Sequence, residues 1–430
     1  MASPYQPLPG FRDFAPREFL LRRYLFETCR EVARRYGFTE YEAPILESAE
    51  LYLKKSGGEL SSQLFRFEDQ GERDVVLRPE LTASLARVVA AQQRDYQKPL
   101  KWFELGPCFR YEKPQKGRFR EFYQFNADLM GEPSAAADAE LIALSIDTMR
   151  ALGFSSDDFR VRLSDREVWQ RFADENGVSA TDLPSFLTII DQLERADPEV
   201  SSRKLEAFGV SLATVQDYIA NPENASSNLK EIMANLSLRG LSDYADFDLS
   251  IVRGLAYYTG VVFELFDARK SLRAIAGGGR YDNLISAISG GKVDLPACGF
   301  AMGDAVIAEF IQECPQALLQ QQAWLQRQGS CEVYLIIDDE EQRAEALTLA
   351  TKIREAGISL DFPLTATKFQ KQIKQASASL ARYAVVIGPR FPEIKIKSLS
   401  GGSEELLPPN ADVVARLQIM LDGPDGPLLA

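Results

Sequence analysis

The chain has 430 residues, more than one hydrophobic core usually supports, so two or three domains are expected. Hydrophobic residues make up 45% and charged residues 26%, an ordinary globular composition; the net charge of −13 argues against a general nucleic-acid coat, although local basic patches stay open. Five cysteines without CxxC spacing imply neither a disulfide framework nor a zinc site, and no stretch of 18 apolar residues occurs, so a cytoplasmic protein without a membrane span is expected. Histidine is absent, which removes imidazole as base, nucleophile or metal ligand.

In chain order, residues 16–36 place Leu21, Leu25, Thr28, Val32 and Tyr36 on one face at helical spacing, with Pro16 near the start and Gly37 after the end. "FTEYEAPILE" reads as a strand interrupted at Pro44. "LFRFEDQGERDVVLRPELTASLARVVA" predicts a hairpin turning at Gln70-Gly71, after which Arg78-Pro79-Glu80 opens a helix and leaves Glu80 and Thr82 at its N-terminus. There Glu80 either complements the helix dipole or holds an ammonium group.

Lys101 to Gly131, "KWFELGPCFRYEKPQKGRFREFYQFNADLMG", predicts two strands joined by a basic loop. Arg110 and Glu112 recur at period two, as do Gln124, Asn126 and Asp128, so each set is expected on one sheet face. Such a face is costly to bury without a ligand. Lys113, Lys116, Arg118 and Arg120 make a cationic cover suited to phosphates, although a solvated edge hairpin fits the same stretch alone.

A helix follows over 135–152, and 164–240 is expected to be a helical insertion. Strands return at "FDLSIVRGLAYYTGVVFELFD", where Arg253, Tyr257 and Tyr258 flank Gly254, and at "LRAIAGGGRYDNLISAI", where Gly277-Gly278-Gly279 fits a close approach to a ligand or a plain turn. "CPQALLQQQAWLQRQGS" reads as a partly helical linker. Beyond it β-α-β-α-β alternation predicts a small α/β domain whose second helix carries Lys368, Lys371 and Lys374.

Together "LPGFRDF", "LRPELT", "FRYEKPQKGRFREFYQF", "RGLAYYTG" and "AGGGRYDNL", in this order, resemble the histidyl-tRNA synthetase family of class II aminoacyl-tRNA synthetases from Pro9 to about Leu421. The resemblance implies an α+β fold: an antiparallel sheet core with helices over 1–325, an insertion at about 164–240, a linker at 326–330 and an anticodon-binding-like α/β domain over 331–430. It implies a homodimer that uses ATP with Mg²⁺ to make histidyl-adenylate from L-histidine, then passes the acyl group to the 3′ end of tRNA(His). The alternative is a non-charging, histidine-binding paralogue such as the regulatory subunit of ATP phosphoribosyltransferase.

By the same resemblance, Glu80 and Thr82 hold the substrate ammonium, with Gln124 nearby. Asp128 and Tyr258 meet the imidazole, and Tyr257 and Tyr281 line that pocket. Arg110 and Arg253 are the catalytic arginines at the α-phosphate; Glu112 takes the adenine amino group and Arg118, with Arg120, the outer phosphates. Val306 stands where the family carries a phosphate-binding arginine, leaving Arg273, Arg280 or a loop residue to replace it, and Ala256 stands at a position usually acidic.

Overall fold

The computed structural model describes residues 5–53, 57–115, 117–194, 196–253, 257–269, 272–399 and 401–422. Lys116, Gly254 and Ala256 lie outside the described residues. Two compact units divide at Gln321/Gln322, inside the helix Pro315–Gln326. Among the described residues no helix is long and apolar enough to cross a membrane.

The strands of the first unit are β1 (Thr39–Glu40), β2 (Leu46–Ser48), β3 (Phe65–Glu68), β4 (Asp74–Leu77), β5 (Leu100–Phe109), β6 (Glu121–Met130), β7 (Phe159–Asp165), β8 (Ala245–Phe247), β9 (Val261–Asp267), β10 (Ala276–Arg280) and β11 (Ala297–Gly303). Eight of them form one sheet in the order β1-β5-β6-β11-β10-β9-β7-β8, antiparallel except at the edge pairs β1-β5 and β7-β8. A small sheet, β2-β4-β3, stands apart. Pro44 therefore separates a strand of the large sheet from one of the small sheet rather than interrupting a single strand.

Alternation along β5 and β6 gives the sheet its two faces. Phe103, Phe125, Ala127 and Leu129 point one way and are buried. On that side the helix Ala135–Ala151, with apolar residues around most of its circumference, packs on β6, β10 and β11, as an all-round apolar helix must. Met130 and Trp102 point the other way, into a cluster with Leu85, Val89, Tyr258, Tyr281 and Leu284. The helices Thr82–Gln92 and Leu284–Ser289 supply part of that cluster.

Five helices lie between Arg166 and Leu238, in the region read as a helical insertion. Trp169, Phe172 and Phe186 form their core, and the Trp169 indole N–H donates to the Leu249 carbonyl at 2.8 Å.

The second unit has β12 (Val333–Ile337), β13 (Leu360–Asp361), β14 (Tyr383–Ile387), β15 (Ile394–Ser398) and β16 (Glu404–Leu407) in the order β13-β12-β14-β15-β16. The first three are parallel and carry the expected β-α-β-α-β pattern; β15 and β16 add an antiparallel edge. Lys368, Lys371 and Lys374 are exposed at and along the helix Phe369–Ala378.

Candidate active site

The face of β6 that carries Gln124, Asn126 and Asp128 is opposed across β5 by Gly106, Glu104 and Trp102, and across β11 by Gly303, Ala301 and Gly299. The glycines leave space above the sheet, and a cavity of about 290 Å³ opens there. Glu80, Thr82, Arg110 and Gln124 line it from the first half of the chain; Arg253, Tyr257, Tyr258 and Tyr281 line it from the second. Asn126 and Val306 complete the side-chain wall at these positions.

Two carboxylates give the site its character, Glu80 in the cavity lining and Asp128 outside that lining but bonded to its Tyr281. Glu80 accepts from the Tyr257 hydroxyl at 3.0 Å through Oε2, while its buried Oε1 meets no partner. Burial raises its pKa, opposed by the Arg110 charge and the Tyr257 bond. Asp128, 1% exposed, accepts from the Tyr281 hydroxyl at 2.5 Å through Oδ1, and its Oδ2 is likewise open. Burial pushes its pKa up to about 7; the Tyr281 bond opposes that rise, and Glu80 and Glu104 add to it. A Cβ at Gly299 would lie 1.9 Å from Asp128 Oδ1, so glycine is required opposite this carboxylate.

Cations face these acids. Arg110 donates through Nε to the Pro79 carbonyl at 3.0 Å, and its guanidinium lies over the Phe122 ring. Arg253 has a left-handed backbone (φ 58°), and its Nη1 donates to Glu264 Oε1 at 2.7 Å. Burial disfavours its charge, but Tyr258, Glu264 and Tyr257 outweigh burial and keep it firmly ionised. The guanidinium passes over β10 at Gly277, where a Cβ would sit 1.6 Å from Nη1. Beneath the site, the buried Arg78 donates to Glu104 Oε1 at 2.6 Å and to the carbonyls of Ala43 and Pro107 at 2.9 Å, so it braces the β5 end.

The structure changes several expectations. β5 stops at Phe109, so Arg110 and Glu112 are not set by strand alternation. Arg110 N–H donates to the Arg120 carbonyl and Glu112 N–H to that of Arg110, a tight turn that aims Arg110 at the cavity. Glu112, Arg118 and Arg120 do not line the cavity. Glu112 and Arg118 form an ion pair, and Arg120 donates to the Glu112 carbonyl at 3.1 Å with its guanidinium over Tyr111. The helix after β4 begins at Thr82, two residues beyond Glu80.

The three glycines are not a turn but the interior strand β10, paired on both sides, and Gly277 lines the cavity. Arg280 is no substitute phosphate ligand: it is buried against Asp138 at 2.6 Å and donates to the carbonyls of Glu132 and Ser134. Arg273 is exposed and does not line the cavity. Asn126, noted for its spacing but given no role, lines the cavity with a buried Oδ1 that meets no partner. Period two along β6 was its signal; for Gly277 beneath Arg253 the sequence carries none.

The family described as Histidyl-tRNA synthetase matches residues 10–305, a span that holds every residue of the cavity lining except Val306. The chain belongs to this family. It is thereby a class II aminoacyl-tRNA synthetase, and the Anticodon binding domain family matches residues 332–415 of the second unit. A histidine–tRNA ligase of Opitutus terrae is 39% identical over 90% of this chain and 91% of its own length. The chloroplastic/mitochondrial histidine–tRNA ligase of Arabidopsis thaliana is 38% identical over 93% of this chain and 84% of its own. Among solved structures, histidyl-tRNA synthetase from Nostoc sp. PCC 7120 superposes with a TM-score of 0.76 at 24% identity, covering 98% of this chain and all of that one, a likeness of fold.

Proposed function

We propose that this synthetase joins L-histidine to the 3′ end of tRNA(His) in two steps at the cavity above β6. The histidine carboxylate attacks the α-phosphorus of ATP, pyrophosphate leaves, and a terminal ribose hydroxyl of the tRNA then attacks the acyl carbon and releases AMP. One observation carries the reading: Glu80 lines a small cavity with an open buried oxygen beside two arginines, and Asp128, whose Oδ2 is likewise unpartnered, is bonded to Tyr281 of the cavity wall. Free histidine brings what those groups lack, an ammonium, an imidazole N–H and a carboxylate.

In this reading Glu80 Oε1 and Thr82 take the ammonium, with Gln124 beside them. Asp128 Oδ2 accepts the imidazole N–H and Tyr258 donates to the other ring nitrogen, so an analogue lacking these nitrogens leaves buried groups unpaired and loses ~10⁴-fold or more. Arg110 and Arg253 stabilise the charge that builds on the α-phosphate, work that needs no protein imidazole. The Glu112–Arg118 pair and Arg120 stand in the loop after Arg110, and their service to adenine and the outer phosphates requires that pair to reorganise around ATP.

Mg²⁺ neutralises the outer phosphates when ATP is bound. A homodimer suits the exposed Phe19, Ile45, Leu46 and Phe67, which lie on or beside the first helix and the small sheet, and sedimentation equilibrium tests it.

Histidine-dependent ATP–pyrophosphate exchange, followed by acylation of tRNA(His), tests the function. Histidine binding without exchange would sink the ligase reading and leave a non-charging paralogue.

A further inference from the structure

Arg166 opens the first helix of the insertion, Arg166–Asn176. Its entry is fixed by Asp165, whose Oδ1 accepts from the Glu167 N–H at 3.0 Å and whose Oδ2 accepts from the Ser226 hydroxyl at 2.6 Å. From there the Arg166 side chain runs back toward the sheet. Nη1 donates to the Tyr258 carbonyl and Nη2 to the Arg253 carbonyl, each at 2.8 Å, while the Arg166 main-chain N–H donates to the Gly260 carbonyl at 3.1 Å. One rigid, planar fork thus fixes two carbonyls five residues apart, a task a lysine's single point charge cannot reproduce.

The two residues held this way both line the cavity, as does Tyr257 beside them. Arg253 stands in a left-handed backbone region that residues other than glycine rarely adopt, so its conformation persists only if its surroundings impose it. Glu264 holds the guanidinium of Arg253, and Arg166 holds its main chain. A groove of about 690 Å³ between the insertion helices and Val252, Arg253, Tyr258 and Thr259 shares Arg253 and Tyr258 with the active cavity. Arg253 and Tyr258 therefore border the cavity on one side and insertion side chains on the other.

We propose that Arg166 is a positioning residue for adenylate formation: it sets the backbone that presents Arg253 and Tyr258 to the cavity, and so ties the helical insertion to the active site. This rests on the histidine-activating function proposed above. Arg166 itself donates to main-chain carbonyls and acts through the two residues it braces.

The test uses the full chain carrying Arg166→Lys or Arg166→Ala, with melting temperatures to establish folding. In histidine-dependent ATP–pyrophosphate exchange, Arg166→Ala should lower kcat about tenfold to a hundredfold, since a displacement of ~1 Å in a charge-stabilising group costs up to ~10²-fold. Arg166→Lys should recover only part of the loss. In kcat the double variant Arg166→Ala/Arg253→Ala should be no slower than Arg253→Ala alone, because the charge to be positioned is gone, while a rise in the KM for histidine through Tyr258 persists. Multiplying losses would overturn the proposal in favour of a general packing role.

Hydrogen exchange judges it without reference to the reaction. The peptide containing Arg253 and Tyr258 should lose protection in Arg166→Ala, or in Arg166→Lys if the alanine variant fails to fold; unchanged protection would also overturn it. Absence of histidine-dependent exchange in the unaltered protein would instead fail the functional reading, while the hydrogen-exchange result still decides the brace.

Discussion

Gly277→Ala tests the placement of Arg253 without touching it. The new Cβ would lie 1.6 Å from Nη1, 2.4 Å from Cζ and 2.9 Å from Nη2 of Arg253. Ordinary contact is ~3.5–4 Å, so the guanidinium must retreat by about 2 Å and give up its 2.7 Å bond to Glu264. What moves is the far end of a flexible side chain, so folding should lose no more than about 1–3 kcal/mol, the ordinary cost of overpacking. Catalysis should lose far more. With the cation misplaced, kcat for ATP–pyrophosphate exchange should fall by ~10²-fold. The Michaelis constant for histidine should stay within about threefold, since a change in KM reports binding groups, here Glu80, Asp128 and Tyr281, which are untouched. A variant that exchanges at the unaltered rate would refute both the role of Arg253 and the need for an empty position beneath it.

Arg110→Ala should slow exchange by ~10²-fold or more, and an unchanged rate would remove it from the α-phosphate. Histidine affinity should rise with pH through about 7, because Asp128 must be ionised to accept the imidazole N–H; from pH 6 to pH 8 its ionised fraction grows about tenfold. Asp128→Asn should flatten that dependence, as titration calorimetry would report, and an identical slope in the variant would count against the pairing. In the free protein the same raised pKa favours the protonated carboxyl on folding. Stability from this source is full below ~4 and is lost as pH climbs to about 7, so in urea melts the unaltered protein should lose stability relative to Asp128→Asn over that window. Arg280→Ala should cost about 3–5 kcal/mol by leaving Asp138 buried and unpaired, and a loss under ~1 kcal/mol would contradict a structural Arg280.

Much of the site was legible because it lies on regular elements. Period two along β6 fixes Gln124, Asn126 and Asp128 on one face whatever surrounds them. Glu80 could be read only as an acid near a helix start; its bond to Tyr257, 177 residues away, belongs to the tertiary fold. The same limit hid Arg166 and Gly277, whose meaning depends on what crosses them. Arg280 shows the converse, since its glycine-rich setting suggested a ligand while the fold turned it toward Asp138. Loop placements failed for another reason: after Phe109 the chain leaves the strand, and alternation no longer governs where Arg110 and Glu112 point.

The open oxygen of Asp128 acquires a spectroscopic meaning in a chain with no histidine of its own. Every imidazole resonance from a complex with labelled histidine must come from the ligand, with no protein background to subtract. The nitrogen shifts of bound histidine would then identify directly which ring nitrogen keeps its proton beside Asp128. A question that in most enzymes is left to hydrogen-bond inference becomes a reading of two peaks.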